Sequence, residues 1–349
     1  MAKGEGMFTD EMMRFFHPVM SARDLQRGPK RIVIGDHPYV LFRDGSGRAA
    51  ALEDRCPHRF APLSAGRVRR DGRLECPYHG WRFDADGRGG SPTQPELSRC
   101  DVGALQLIER YDYLWLAAKD ASPGMFPSME WPESGYELVG SYNMLFEAPF
   151  HVVLDNFSED EHTPWVHTRL GWDEAHVSTV HFEAQSFEDR IEVAYRAKQR
   201  FSWSGAALLL LPGDTFHNTW TTRFDPVRTI YNIFWSAPDG TPRLVELRAP
   251  IFFVPETAST TRLHVFTWVR LREPKLRFLL PMIRRAALQL GRGEIDDDRR
   301  FIPTVADTPF ELKGMRLGRY DKPLVHNHRL IQKIYLGEQE SPALRAVPQ

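Results

Sequence analysis

Apolar and polar positions divide this chain into two stretches of different character. RIVIG, YVLFRD and AAALED, between 31 and 55, are short β-rich runs. Turn signals at Gly35-Asp36-His37-Pro38 and Asp44-Gly45-Ser46-Gly47 separate them. RLECPYHGWRFD continues the pattern and LIERYDYLWLAA, at 107–118, closes it. The reading is a small all-β domain with Cys–His pairs at hairpin tips. The proline-rich ASPGMFPSMEWPESG at 121–135 marks a boundary, which places one domain over 1–125 and a second over 126–349.

The second stretch opens on a strand signal, YELVGSYNMLFEAP, followed by the polar, helix-like LDNFSEDEHTPWVHTRL. Strand-like runs follow between 178 and 271, among them RTIYNIFWSA, LRAPIFFVP and TRLHVFTWVRL. EPKLRFLLPMIRRAALQLGRGEIDDDRRFI, at 273–302, then turns helical. No internal repeat appears. The fold class expected is α+β: an all-β domain, then an α+β domain whose antiparallel sheet is flanked by helices.

Composition narrows the function. The 349 residues carry 45 basic and 46 acidic side chains, so a net charge of -1 gives no reason to expect nucleic acid or an anionic membrane as partner. Nine Trp and 22 Phe supply apolar surface for a core and a pocket. No apolar run approaches the roughly 20 residues that cross a bilayer; ALLLLPG at 207–213 ends at a proline. MAKGEGMFTDEMMRFF has acids where a signal peptide is apolar, and three cysteines make no disulfide framework, so a cytoplasmic location is expected. Gly45-Ser46-Gly47-Arg48-Ala49-Ala50 fits a loose dinucleotide pattern, but a strand-like AALED follows it where a helix is needed. It reads as a hairpin turn, and no nicotinamide domain is expected.

Chemistry concentrates in CPHRFAPLSAGRVRRDGRLECPYHGW. Cys56-Pro57-His58, 17 residues, then Cys76-Pro77-Tyr78-His79 make C-x-H-x17-C-x2-H. With 13 His in 349 residues, both flanking positions hold His by chance about once in 700 trials, so chance is a poor account. A Cys2His2 zinc site is the plainer alternative, but it groups Cys with Cys and His with His. Here each loop offers one of each, which lets two loops grip a binuclear cluster with both thiolates on one iron and both imidazoles on the other.

CPHRFAPLSAGRV and CPYHGWRFDADGR resemble the cluster loops of the Rieske non-haem iron oxygenases. The resemblance implies an N-terminal Rieske [2Fe-2S] domain with ligands Cys56, His58, Cys76 and His79. Phe60 departs from it, since the family often has glycine after the arginine; the change bears on packing or access and leaves the ligands intact.

His162 and His167, in LDNFSEDEHTPWVHTRLGW, lie five apart, about 140° on an ideal helix, which is poor for chelation. Pro164 between them removes one helical hydrogen bond, and a distorted helix brings both rings onto one ion. Taken alone, two surface or core histidines remain the simpler reading. The run Asp155-Asn156-x2-Glu159-x2-His162-x4-His167 resembles the mononuclear iron motif of the same family, however. Two His and one carboxylate form the facial triad of non-haem Fe(II) oxygenases. GEIDDDRRFI offers Asp296, Asp297 and Asp298 for the third ligand. Aligning the family's late motif on Arg299 and Phe301-Ile302 selects Asp298, with Asp297 as the alternative. Glu159 matches the carboxylate linking the cluster of one subunit to the iron of its neighbour, and Asn156 a residue near that iron. Asp155 reads as structural.

The resemblance implies the terminal oxygenase component, nearest the homotrimeric monooxygenase and demethylase branch. Electrons would come from NAD(P)H through a separate reductase or ferredoxin, the iron would use O2, and a small aromatic substrate would be hydroxylated or demethylated. Its pocket is expected from FSWSGAALLLL and TIYNIFWSA. Desaturation or oxidative cyclisation shares the same metals. The rivals are an electron carrier or redox sensor whose second site is dead, and a zinc-stabilised binding protein.

Overall fold

The computed structural model describes residues 10–26, 28–94, 100–129, 131 and 135–336. The sequence reading of residues 1–9, and of 130 and 132–134 in the proline-rich boundary, lies outside the described residues. The chain divides into two compact units, Met1–Pro127 with Val254–Ala258, and Ser128–Phe253 with Ser259–Gln349.

In the first unit, β1 (His17–Ser21), β2 (Lys30–Ile34), β3 (His37–Arg43) and β4 (Ala49–Glu53) precede four two-residue strands. These are β5 (Arg67–Val68), β6 (Leu74–Glu75), β7 (Arg82–Phe83) and β8 (Gly89–Gly90); β9 (Ala104–Arg110) and β10 (Tyr113–Ala117) follow. The long strands pair in the order β1-β10-β9-β4-β3-β2 and the short ones in the order β5-β6-β7-β8. Tyr111 and Asp112, both at φ 58°, form the two-residue turn between β9 and β10, where left-handed residues match the strand twist. Asp44 accepts from the amides of Ser46 and Arg48 and closes the β3–β4 hairpin, so the glycine-rich stretch there is a turn. Val40, Phe42, Leu52, Leu63, Leu74 and Phe83 form one core, to which Cys56 and Cys76 belong.

The second unit opens with β11 (Tyr136–Phe146), then α1 (Phe150–Asn156) and the four-residue α2 (Thr163–Val166). β12 (His181–Ser186), β13 (Arg190–Lys198), the short α3 (Trp203–Ala206), β14 (Thr215–Phe224), β15 (Val227–Ser236), β16 (Pro242–Thr257) and β17 (Thr260–Leu271) follow. The sheet order is β11-β17-β16-β15-β14-β13-β12, a meander with β11 added antiparallel to β17. In β14 every second residue is buried, as expected of a strand with one face on a core. Helix α4 (Leu280–Phe301) lies against β11 and β17, and α5 (Lys322–Ile331) against β12, β13 and β14. Ile283, Ala287 and Leu290, at helical spacing on α4, join Trp220, Trp235 and Val245 of the sheet in one core. Full burial of a side chain such as Ile283 contributes roughly 2 kcal/mol.

Helix α1 is anchored by its polar residues. The His328 ring on α5 reaches both oxygens of Asp155, at 2.9 and 3.0 Å, and its other nitrogen meets the Phe310 carbonyl at 2.7 Å. Asp155 is therefore a structural tie.

Candidate metal centres and pocket

The two Cys–His loops share one backbone design. Cys56 N–H donates to the Ala61 carbonyl at 2.9 Å, and Phe60 N–H to the Cys56 carbonyl at 2.8 Å. Cys76 N–H donates to Trp81 at 2.7 Å, and Gly80 N–H to Cys76 at 3.2 Å. Each loop is thus closed by its own peptide groups, and each needs a left-handed residue at its fifth position. Gly80 supplies it at φ 71° and Phe60 at φ 59°. Only the second loop is a hairpin tip, between β6 and β7; the first runs from β4, in one sheet, to β5, in the other. This corrects the expectation of two hairpin tips. Asp54 accepts from the Ser64 amide and hydroxyl, both at 2.6 Å, and ties the first loop at its ends.

Both sulfurs lie inward, with Cys56 and Cys76 buried, while His58 and His79 are exposed. The two rings meet edge to face with centroids 4.5 Å apart, and Trp81 stacks on His58 at 4.8 Å. Burial, together with the neighbouring Cys76, pushes the Cys56 thiol up to about 11. Thiols held in this way ionise when a metal takes the proton's place. Two thiols on the core side and two imidazoles on the solvent side fit a cluster with sulfur ligation on one iron and nitrogen ligation on the other.

The second donor set comes from three places in the chain. His162 caps the N-terminus of α2 and His167 its C-terminus, so neither lies in a distorted helix as the sequence suggested. Pro164 sits in the first turn, where its missing N–H costs nothing. A four-residue helix brings the rings together: His162 Nε2 and His167 Nε2 are 3.1 Å apart. Asp298 Oδ1 on α4 is 3.4 Å from each. Donors about 2.1 Å from a metal and near right angles to each other stand about 3 Å apart, and this triangle fits that requirement. Two ring nitrogens and a carboxylate oxygen converging there call for a cation between them.

Polar neighbours hold each vertex. Glu159 Oε1 is 2.5 Å from His162 Nδ1, and its other oxygen accepts from the Glu161 and His162 amides. Asn156 Nδ2 donates to Asp298 Oδ1 at 3.1 Å. Burial opposes charge on His162, yet Glu159 and Asp298 outweigh it and raise its pKa well above the ordinary value. His167 goes the other way, lowered by burial. Arg200 donates to the carbonyls of His167 and Trp172 and fixes the chain leaving α2. Asp297 is bonded to Arg169, and one of its oxygens also lies within 4.8 Å of donor atoms on His167 and Glu294; Asp296 is bonded to Arg299 and Arg300.

The triangle opens on a cavity of about 930 Å³, part of it open to solvent. Phe216, Tyr231, Ile233, Leu247, Ile251 and Val265 give it an apolar wall from β14 to β17, and Ala287, Leu290 and Gly291 of α4 face them. TIYNIFWSA thus contributes Tyr231 and Ile233, but none of the described residues of FSWSGAALLLL lines the cavity; its Leu208 and Leu210 are core. Among the polar residues of the cavity that escaped the sequence reading are Asp160, Glu294 and Asn218. Asp160 is held by Asn218 Nδ2 at 3.0 Å, and burial raises its pKa to about 7. Glu294, pushed up to about 8 by burial, lies one turn before Asp298, with Oε2 3.5 Å from His167 Nδ1. Its signal was that i and i+4 share a helix face. Asn218 was marked as a polar residue on the buried side of an alternating strand.

Two domain families match the chain: the Rieske [2Fe-2S] domain over residues 15–102 and the vanillate O-demethylase oxygenase C-terminal domain over residues 146–303. Among curated relatives, the vanillate O-demethylase oxygenase subunit of Pseudomonas sp. (strain ATCC 19151) is 37% identical over 155 residues, 42% of this chain and 47% of that one. The oxygenase component of dicamba O-demethylase from Stenotrophomonas maltophilia is 28% identical over 249 residues, 68% and 72% of the two chains. Chlorophyllide a oxygenase of Arabidopsis thaliana is 29% identical over 170 residues, 47% of this chain and 31% of that protein. The chain thus spans less than half the length of the chlorophyllide a oxygenase and of the vanillate O-demethylase oxygenase subunit. Dicamba monooxygenase bound to dicamba shares the fold with a TM-score of 0.69 at 21% identity, over 93% of this chain and 98% of that one. NdmB of Pseudomonas putida CBB5 does so at 0.68 and 19%, over 96% and 94%. Among the described residues no helix is long and apolar enough to cross a membrane. With one family over its cluster loops and the other over its second donor set, the chain belongs to the Rieske non-haem iron oxygenases.

Proposed function

We propose that this chain is the terminal oxygenase component of a Rieske system that hydroxylates or oxidatively demethylates a small aromatic compound. In this reading the first domain, 1–125, holds a [2Fe-2S] cluster through Cys56, His58, Cys76 and His79. The second, 126–349, holds Fe(II) through His162, His167 and Asp298. The observation that carries it is the convergence of His162 Nε2, His167 Nε2 and Asp298 Oδ1 at 3.1–3.4 Å on the wall of a largely apolar cavity.

When bound, the cluster supplies single electrons and the iron supplies O2 activation. The chain's own groups position these centres. Glu159 accepts the Nδ1–H of His162, which fixes the tautomer and leaves Nε2 with its lone pair toward the ion. Asn156 holds Asp298 Oδ1 in place. The apolar wall shields the substrate from water, and Phe216 and Tyr231 offer faces to an aromatic ring. The exposed His58 and His79 stand where a separate reductase or ferredoxin, drawing on NAD(P)H, would deliver electrons. The relatives named for demethylation of vanillate and dicamba support demethylation here. The reading also takes in a cytoplasmic homotrimer, with Glu159 on the route from the cluster of one subunit to the iron of the next.

Metal analysis with electron paramagnetic resonance of the reduced protein tests this. About three iron atoms per chain, a reduced-cluster signal and substrate-dependent O2 uptake are expected. Two iron atoms per chain without O2 uptake would make the protein an electron carrier instead, and zinc alone would remove both readings.

A further inference from the structure

Behind one residue of the cavity wall the aromatic rings continue to the protein surface. Tyr231 lines the cavity, and its hydroxyl donates to the Phe157 carbonyl, one residue past the Asn156 that holds Asp298 Oδ1. Trp220, its cross-strand partner on β14, lies 5.5 Å away between ring centroids. Tyr195 of β13 follows at 5.4 Å, stacked on Trp220 with only 8° between the planes. Trp172 also stacks on Tyr195, at 5.7 Å and 13°. Tyr320 meets Tyr195 at 5.5 Å and is partly exposed, whereas Trp172, Tyr195 and Trp220 are buried.

Packing alone does not call for these side chains. Trp220 Nε1 and Tyr195 Oη are buried with no hydrogen-bond partner among the described residues, which is destabilising. Phenylalanine at 195 would fill the same space without that cost. Buried polar groups left unbonded are rare, and a redox role is one reason to keep them. Phenol and indole rings do what phenylalanine does not: they yield one electron to a strong oxidant. With no acceptor for its N–H proton, an oxidised Trp220 keeps that proton and is reduced again by the next ring, instead of being trapped as a neutral radical. At the outer end the Arg319 guanidinium, 5.2 Å over the Tyr320 ring, opposes a cationic ring and favours loss of the phenol proton.

We propose, on the oxygenase reading given above, that Tyr231, Trp220, Tyr195 and Tyr320 form a ladder that carries an oxidising equivalent from the cavity to the surface when no substrate takes it. The oxidant is a one-electron oxidant made from O2 in the cavity. One electron passes inward from each ring to the one before it, so the oxidant gains an electron and the inner rings return to their starting state. Tyr320 loses that electron, gives its phenol proton to water and is left as a neutral tyrosyl radical. An external thiol restores it by giving up a hydrogen atom. The ladder spares the groups around the cavity from oxidation in turnovers that miss their substrate.

The test uses the holoprotein with its cluster reduced, mixed with O2 in the absence of substrate and in the presence of the spin trap nitroso-tert-butane. Peptide mass spectrometry locates the adducts, and one at Tyr320 is expected. Trp220→Phe and Tyr195→Phe each keep a ring but not a redox-active one, and each is expected to lose the Tyr320 adduct while oxidation of Tyr231 rises. Tyr195→Phe removes only an unbonded hydroxyl, so it folds as the parent protein does. A Tyr320 adduct that survives both substitutions, its absence from the parent, or adducts spread equally over exposed tyrosines such as Tyr78 would overturn the ladder. Iron content and O2 uptake on the same samples judge the oxygenase reading separately. Iron bound and O2 consumed with no Tyr320 adduct overturns the ladder alone, whereas a chain without iron at the second donor set overturns both.

Discussion

The Cys–His loops and the His–Asp triangle are two ways of bringing metal-binding side chains together. In the loops, 26 residues from Cys56 to Trp81 contain all four donors, and each loop closes on its own peptide hydrogen bonds. In the triangle, donors 131 residues apart in sequence, His167 and Asp298, meet only because α4 packs on the sheet. The first site is local and repetitive, and its tolerance is set by backbone conformation. The second depends on tertiary packing, and its tolerance is set by side-chain neighbours.

Removing a vertex of the triangle should separate the two sites most sharply. Asp298→Ala is expected to lower mononuclear iron affinity and O2 uptake by at least about 100-fold while the cluster spectrum persists. Asp297→Ala, which frees Arg169 but leaves the triangle, should keep its iron; if the two outcomes are exchanged, the ligand is Asp297. A smaller effect is expected from Glu159→Gln, which retains a hydrogen-bonding group beside His162 Nδ1 but no charge. Both metals should stay, with cluster-to-iron transfer in single turnovers about 10- to 100-fold slower. An unchanged transfer rate would reduce Glu159 to a local cap.

The smallest effects should appear in the loops, and they should differ between the two. A Cβ at Gly80 would meet only Pro92 Cγ at 3.8 Å, so Gly80→Ala pays for its left-handed backbone alone. The expected loss is about 1–2 kcal/mol, read in urea from the loss of cluster absorbance. At Phe60 the same conformational cost is already present, and the Arg55 guanidinium 3.8 Å over the ring offsets part of it. Glycine there relieves the backbone but loosens the unfolded chain and loses that contact, so Phe60→Gly should shift stability by less than about 1 kcal/mol. Equal effects of the two substitutions would mean that the loops are not alike.

How much of each site could be read from sequence follows the same division. The four Cys and His residues of the loops stood out because cysteine and histidine are scarce and the spacing is short. His162, His167 and Asp298 were singled out by resemblance, and periodicity argued against the histidine pair, since it assumed one helix through both. The chain instead ends α1 at Asn156 and restarts for four residues, a break that Pro164 fits but does not announce. Glu294 and Asn218 were missed because what matters about them is that they line the same cavity as the triangle, which is visible only when the far strands and α4 are in place. The strand pattern of both units was readable, since alternation in strands such as β14 records burial directly.

The first unit is not one continuous piece of chain. Val254–Ala258, at the tip of the β16–β17 hairpin, count among its residues. Val254 is 2% exposed in the core that holds Leu41 and Leu114. The carbonyls of Pro255 and Glu256 accept from the amides of Gly35 and Asp36 at 2.9 and 2.8 Å. A fragment cut at Pro127 would carry both Cys–His loops yet miss a plug of its own interior and two acceptors for its β2–β3 turn. The first unit is therefore not a cassette that can be lifted out or exchanged by its N-terminal sequence alone. Any graft that keeps it intact must bring along a hairpin encoded more than a hundred residues downstream.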